Sequence, residues 1–289
     1  MESLFVGCGY VGRQVAHLEC DDGGSVGAVV RTPTSVAVLG AEGIEAVSAD
    51  LDSEITLSVP VTDRVLYWFA PPSPEGSQDL RLRNLTRRLL ADGQAPSRVV
   101  LISTTGVYGD CQGAWVTEER VLAPRTDRAR RRVDAEMAMR QWCDALGIAL
   151  VVLRVPGIYG PGKLPLKRLR ARQPVLAPAL CPWSNRVHVE DLVRACLVAA
   201  RIDEPCPVYN ISDGYPSTMT DFFFQVADAV DLPRPPVIDA KTARSQLSPE
   251  MRSYLAESKR IDNTLMREHL GVVIRYPGLA MGLAQIVPG

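Results

Sequence analysis

The sequence predicts an α/β fold, a doubly wound parallel sheet with a smaller C-terminal α+β lobe, and three observations support it. Short apolar runs alternate with helix-like segments, the pattern of consecutive βαβ units. Those runs are continuous rather than alternating, as strands buried on both faces require. A Gly-x-Gly-x-x-Gly follows the first run and opens the first helix-like segment.

In chain order, Leu4-Phe5-Val6 is the first strand and Tyr10 to Glu19 the first helix. Ser25 to Val30 is the second strand, Thr34 to Leu39 a short helix, and Glu45-Ala46-Val47 the third strand. Arg64 to Phe69 forms a fourth strand, stopped by Pro71-Pro72. The amphipathic segment Asp79 to Ala91 leads to a fifth strand at Arg98 to Ser103. A helix at Arg130 to Leu146 precedes a sixth strand at Ala149 to Leu153. Beyond Pro156 the texture changes, and five prolines from Pro161 to Pro182 punctuate a loop-rich stretch with little strand character. Helical patterns return at Val189 to Ala200 and Thr218 to Val230, with a strand at Val208 to Ile211 between them and a polar, helical tail after Pro236. This divides the chain into residues 1–160, to which 189–213 return, and a smaller lobe over 161–289.

The 289 residues suit about two domains at roughly 150 residues each. Thirty-two basic side chains against thirty-three acidic ones leave a net charge of −1, which argues against a nucleic-acid binder. The arginine-rich run Arg125 to Arg132 is expected to be a solvated or anion-binding helix end, with Val133, Met137 and Trp142 toward the core. No run approaches the ~20 apolar residues of a membrane span, and Met1 to Val6 lacks the basic start of a signal peptide, so a cytoplasmic location is expected. The seven cysteines show no Cys-x-x-Cys spacing and the three histidines no ligand pattern, so no metal site is expected.

Gly7-Cys8-Gly9-Tyr10-Val11-Gly12 has the context that gives this motif meaning. The first glycine allows a tight turn, the second admits a pyrophosphate to the backbone, and the third lets helix and strand pack closely. The amides at the helix start, at Tyr10 and Val11, then meet the anion. The second strand ends Val29-Val30-Arg31-Thr32, with no carboxylate for a ribose 2′-hydroxyl. Arg31, with Thr32 beside it, suits a 2′-phosphate, so NADP is the expected cofactor and NAD the alternative.

Val99 to Asp110 places hydroxyl groups at the carboxyl end of a central strand, where open α/β sheets bind ligands. Its Ser103-Thr104-Thr105-Gly106-Val107-Tyr108-Gly109 resembles the extended short-chain dehydrogenases/reductases of the NAD-dependent epimerase/dehydratase type. Leu153 to Gly162, Asn185 to Leu192 and Tyr209 to Gly214 resemble later segments of that family, in the right order. The resemblance implies that Thr104 stands at the catalytic Ser/Thr position and that Asp50 contacts adenine. It also implies that Ala70, Pro71, Ser103 and Pro156 complete the cofactor contacts.

The family's Tyr-x-x-x-Lys dyad is missing between Val107 and Leu153. Aligned on Glu136, its two positions hold Arg128 and Arg132. Arginine stays protonated and is a poor general base. In this the chain resembles the atypical short-chain dehydrogenases, most closely the bacterial YeeZ-like group. Tyr108 or Tyr159, both expected to face the cleft, is the candidate acid, with Thr104 orienting the substrate and Arg128 or Arg132 stabilising an anion. His188 reads as a hydrogen-bonded residue between lobes. Two readings follow: an oxidoreductase or epimerase acting on a polar, sugar-like or phosphorylated small molecule, or a non-catalytic NADP(H) sensor signalling to a protein partner. The resemblance further implies a homodimer through Asp79 to Ala91 and Arg130 to Leu146.

Overall fold

The structure, a computed structural model, describes residues 1–53 and 60–286. Its centre is a seven-stranded sheet built from β1 (Glu2–Val6), β2 (Ser25–Val30), β3 (Glu45–Ser48), β4 (Val65–Trp68), β5 (Arg98–Thr104) and the strands Ala149–Val155 and Val208–Asn210. Every pairing in it is parallel. From β1 the chain builds outward through β2 to β3, then returns to place β4 on the other side of β1, with β5, Ala149–Val155 and Val208–Asn210 beyond. The reversal between β1 and β4 opens a crevice at the carboxyl ends of the strands.

Alternate residues of each strand feed two apolar cores, which is why the runs read as continuous. Phe5, Ala28, Tyr67, Val100 and Val151 lie on one face, together with Val15 and Ala16 of helix α1 (Tyr10–Asp21) and Leu192 and Cys196 of the helix Val189–Arg201. Leu4, Val29, Leu66, Leu101 and Val152 lie on the other, under Leu82, Leu85 and Leu89 of α3 (Leu80–Ala91) and Ala135, Met139 and Trp142 of α4 (Asp127–Leu146). Helix α2 (Pro33–Ala41) packs beside β3. Phe5 stacks on Tyr67 across β1 and β4, with ring centroids 4.4 Å apart.

Helix α4 begins three residues earlier than the arginine run suggested. Thr126 caps it, accepting the Ala129 amide at 3.2 Å, and Gly147 ends it in the left-handed region at φ 67°. This register points Met139 inward and leaves Met137 exposed, correcting the expected core face. The stretch after Pro156 also holds more strand than expected. Gly157–Tyr159 pairs in parallel with Arg186–His188, and two-residue bridges join other segments. Strands of two or three residues are too short to show a period in sequence. Tyr159, Phe222, Phe223, Val226, Leu279 and Leu283 form a further apolar cluster among the C-terminal elements.

Candidate active site

The three glycines of the opening loop do different work. Gly7 sits at φ +92°, and a Cβ there would lie 2.5 Å from the Ala70 backbone nitrogen, so only glycine lets β1 turn beside β4. A Cβ at Gly12 would stand 2.9 Å from the Gly7 carbonyl, so this position fixes how closely α1 approaches the strand. At Gly9 a Cβ would meet no atom within 4 Å. The protein's own packing does not require the second glycine. Open space before the unpaired amides of a helix start is where a pyrophosphate fits. Gly9→Val is therefore expected to change stability by less than about 1 kcal/mol while lowering dinucleotide affinity tenfold or more. Melting curves and a fluorescence titration check both halves. Tyr10 offers only its backbone, because its hydroxyl donates to the Pro161 carbonyl at 2.9 Å.

Next to Gly7 a cavity of about 160 Å³ is lined by Val29, Val30, Arg31, Asp50, Ala70, Pro71 and Arg81. The structure thus brings together Gly7, Arg31, Asp50, Ala70 and Pro71. Thr32 caps α2 through the Ser35 amide at 3.2 Å, and Asp50 accepts the Asp52 amide at 3.1 Å. Arg81 was not foreseen: it forks onto Asp52, with one contact of 2.7 Å, and holds that carboxyl below its usual range. Nothing in the amphipathic pattern of α3 marks Arg81 as facing this cavity.

At the ends of β5 and Ala149–Val155 lies a buried polar network. Arg154 donates to Glu136 at 2.8 Å and to the Tyr108 oxygen at 2.9 Å, while the Tyr108 hydroxyl donates to Asn210 Oδ1 at 2.7 Å. The Ser103 hydroxyl also donates to Glu136. Three expectations are corrected here. Tyr108 is buried and doubly bonded, with burial pushing its pKa up to about 12, so it does not face the cleft as an acid. Tyr159 is wholly buried, its hydroxyl directed to the Gly278 carbonyl at 3.3 Å, and burial raises its pKa. The Ser103 hydroxyl faces Glu136, not a cofactor. Arg132 is held as well: it donates to the Ile102 carbonyl at 3.2 Å and to that of Ala70 at 3.4 Å, and burial lowers its pKa.

A separate cleft opens beyond Thr104. It encloses about 210 Å³ and is lined by Thr104, Arg128, Pro156, Trp183, Arg186, Tyr254 and Lys259, among others. Pro156 thus meets this cleft, not the Gly7 cavity. Thr104 Oγ1 accepts the Gly106 amide at 3.2 Å. Arg128 donates to the Tyr254 oxygen at 2.9 Å and lies 4.5 Å over its ring. The cleft therefore contains a phenol beside a fixed cation, with the phenol supplied by the C-terminal tail. Tyr254 carries no local motif, so only folding reveals it. His188 is buried between Tyr276 and Tyr159; its Nδ1 accepts the Glu190 amide at 3.3 Å, but Nε2 has no partner, and burial lowers its pKa. That half-satisfied ring corrects the expectation of a fully bonded histidine. Among the described residues no cluster of metal-ligand type occurs, and no helix is long and apolar enough to cross a membrane.

The parallel sheet, its glycine turn and the cleft beyond β5 define an extended short-chain dehydrogenase/reductase architecture. The model of the NAD-dependent epimerase/dehydratase family matches residues 78–212 of the chain. It is 27% identical over 183 residues to protein YeeZ of Escherichia coli K12, an alignment covering 62% of this chain and 59% of that protein. A solved structure described as a functionally unknown conserved protein from Silicibacter pomeroyi DSS is 30% identical, with a TM-score of 0.83 over 99% of this chain and 97% of the other. MoeE5, solved in complex with UDP-glucose and NAD, superposes with a TM-score of 0.75 over 99% of this chain and 97% of the other; at 22% identity that likeness speaks to fold alone.

Proposed function

We propose that the protein is an NADP(H)-preferring oxidoreductase or epimerase that acts on a polar, sugar-like or phosphorylated small molecule in the cytoplasm. The observation that supports it best is the Arg128–Tyr254 pair beside Thr104, at the carboxyl end of β5. Gly7, Gly9 and Gly12, with the Tyr10 and Val11 amides, would hold the pyrophosphate. Asp50, Ala70 and Pro71 would flank the adenosine, and Arg31 and Thr32 would take a 2′-phosphate. A bound nicotinamide would supply hydride exchange. Thr104 orients the substrate oxygen, and Tyr254 exchanges a proton with it. The Arg128 guanidinium stabilises the phenolate left behind, as the dyad's lysine does in relatives.

A panel of carbonyl compounds and sugar nucleotides, followed by NADPH absorbance, tests the reading. Oxidation of NADPH by at least one of them is expected, and none at all would favour the sensor. That second reading draws on the two arginines at the dyad positions and on the burial of Tyr108 and Tyr159. NADP is expected to bind at least tenfold more tightly than NAD, and Arg31→Ala to remove that margin; equal affinities in the unaltered protein would discard the assignment of Arg31. A homodimer through α3 and α4 is supported by the exposure of Leu90 and Met137 on those helices.

A further inference from the structure

Arg186 lines the cleft, yet its side chain is almost wholly inside the protein, with 5% of the residue exposed. One nitrogen donates to the Asn185 carbonyl at 2.8 Å and to Ser184 Oγ at 3.1 Å, and a second meets the Met219 sulfur at 3.4 Å. The guanidinium lies 4.6 Å over the Phe222 ring. Among the described residues no carboxylate is in ion-pair contact with it. Asp213 is near enough to be felt, but its carboxylate accepts the Tyr215 amide at 2.9 Å, and burial pushes its pKa up to about 7. The contrast with neighbouring cations is sharp: Lys259 is paired with Glu257 at 2.6 Å, and Arg154 with Glu136 at 2.8 Å.

A buried cation without a carboxylate in direct contact is costly to fold, and such positions gather at binding sites. Here the cation is held in place by Phe222, Ser184 and Asn185, and faces a cavity. With both hydrogens of one Nη used by Asn185 and Ser184, the Nε–H and the second hydrogen of the other Nη are the donors left for the two oxygens of a carboxylate or phosphate. The cavity itself holds about 210 Å³, below the roughly 300–1,000 Å³ of sites for drug-sized ligands.

We infer that Arg186 anchors the oxyanion of a small carboxylate- or phosphate-bearing substrate, and that the cleft is closed to a full sugar nucleotide. This rests on the cleft being the substrate site of the proposed function and narrows its substrate class. Thr104 and Tyr254 then meet an oxygen elsewhere on a molecule a few carbons long.

The test titrates the full chain with inorganic phosphate, lactate and UDP-glucose at constant ionic strength, using sodium chloride as control. Melting temperature and tryptophan fluorescence are the readouts. Phosphate or lactate should act saturably, beyond the chloride effect, and UDP-glucose more weakly than the better of the two. Which one dominates separates phosphate from carboxylate substrates. Arg186→Gln should weaken the response tenfold or more, with Arg186→Lys intermediate. If Arg186→Gln fails to fold, Trp183→Phe decides: Trp183 lines the cavity, so the variant should lose the fluorescence change and keep the shift in melting temperature. No saturable oxyanion effect, an unchanged response in folded Arg186→Gln, an unchanged fluorescence response in Trp183→Phe, or tighter binding of UDP-glucose overturns the inference. NADPH titrated into the same samples separates the two readings. Tight NADPH binding without an oxyanion response ends this inference alone, while an oxyanion response without NADPH binding ends the proposed function instead.

Discussion

Arg154→Met is expected to destabilise the fold by about 3–5 kcal/mol, a large share of the roughly 5–15 kcal/mol that holds a folded protein together. Glu136 and Arg154 are 4% and 5% exposed, and their pairing is reinforced by the Ser103 hydroxyl and, through Arg154, by Tyr108 and Asn210. Methionine fills much of the volume but leaves the Glu136 carboxylate in the interior without its cation and the Tyr108 oxygen without its donor. The penalty of an unpaired buried charge exceeds what the intact pair contributes over an apolar equivalent. The double variant Glu136→Met/Arg154→Met should therefore recover a large part of the loss, and a double-mutant cycle in urea measures the coupling. A single variant that melts with the unaltered protein would remove the network from any account of stability. A spectator role for Tyr108 follows from the same geometry, and Tyr108→Phe should leave any turnover within a few-fold of normal.

Tyr254→Phe is expected to lower kcat by about 10²–10⁴-fold, the range attributed to a positioned general acid. Its hydroxyl accepts one hydrogen bond from Arg128 and the ring is about half exposed at 51%, so stability should change by less than about 1 kcal/mol. NADPH affinity should not change, since Tyr254 does not line the cavity beside Gly7. The readouts are single-turnover rates with a substrate found in the panel and a cofactor titration in parallel. An undiminished rate would return the search for the proton donor to the other polar groups of the cleft.

Most of the framework is legible in the sequence because its signals are local. The buried strands are short, mostly apolar runs rich in valine and leucine, and Gly7, Pro71 and Pro156 stand just past three of them. The glycine loop can be read for the same reason: a turn at φ +92° beside a neighbouring backbone tolerates no other residue at Gly7. Arg31 is read from its place at the end of β2, while Asp50, Ala70 and Pro71 follow from the family resemblance; all four line one cavity because the carboxyl ends of parallel strands lie along one edge of the sheet.

The catalytic assignments went astray where side-chain direction mattered. Tyr108 and Tyr159 lie just past strand ends, as expected, but one turn of backbone decides whether a phenol enters a cleft or a core. Here Asn210 and Gly278 capture them. Arg186 lies inside the Asn185 to Leu192 segment and Tyr254 in a tail whose pattern is only polar and helical, and neither carries a motif of its own.

From sequence alone came the parallel sheet and the glycine turn with its amide-rich helix start, both consequences of short-range sterics and burial pattern. Only the tertiary structure decided which charges are answered and which are not. That Glu136 meets Arg154, that Arg128 meets Tyr254 across 126 positions, and that Arg186 has no carboxylate in ion-pair contact among the described residues depends on segments distant in the chain. Electrostatic pairing depends on distance in space, which no local run of residues encodes.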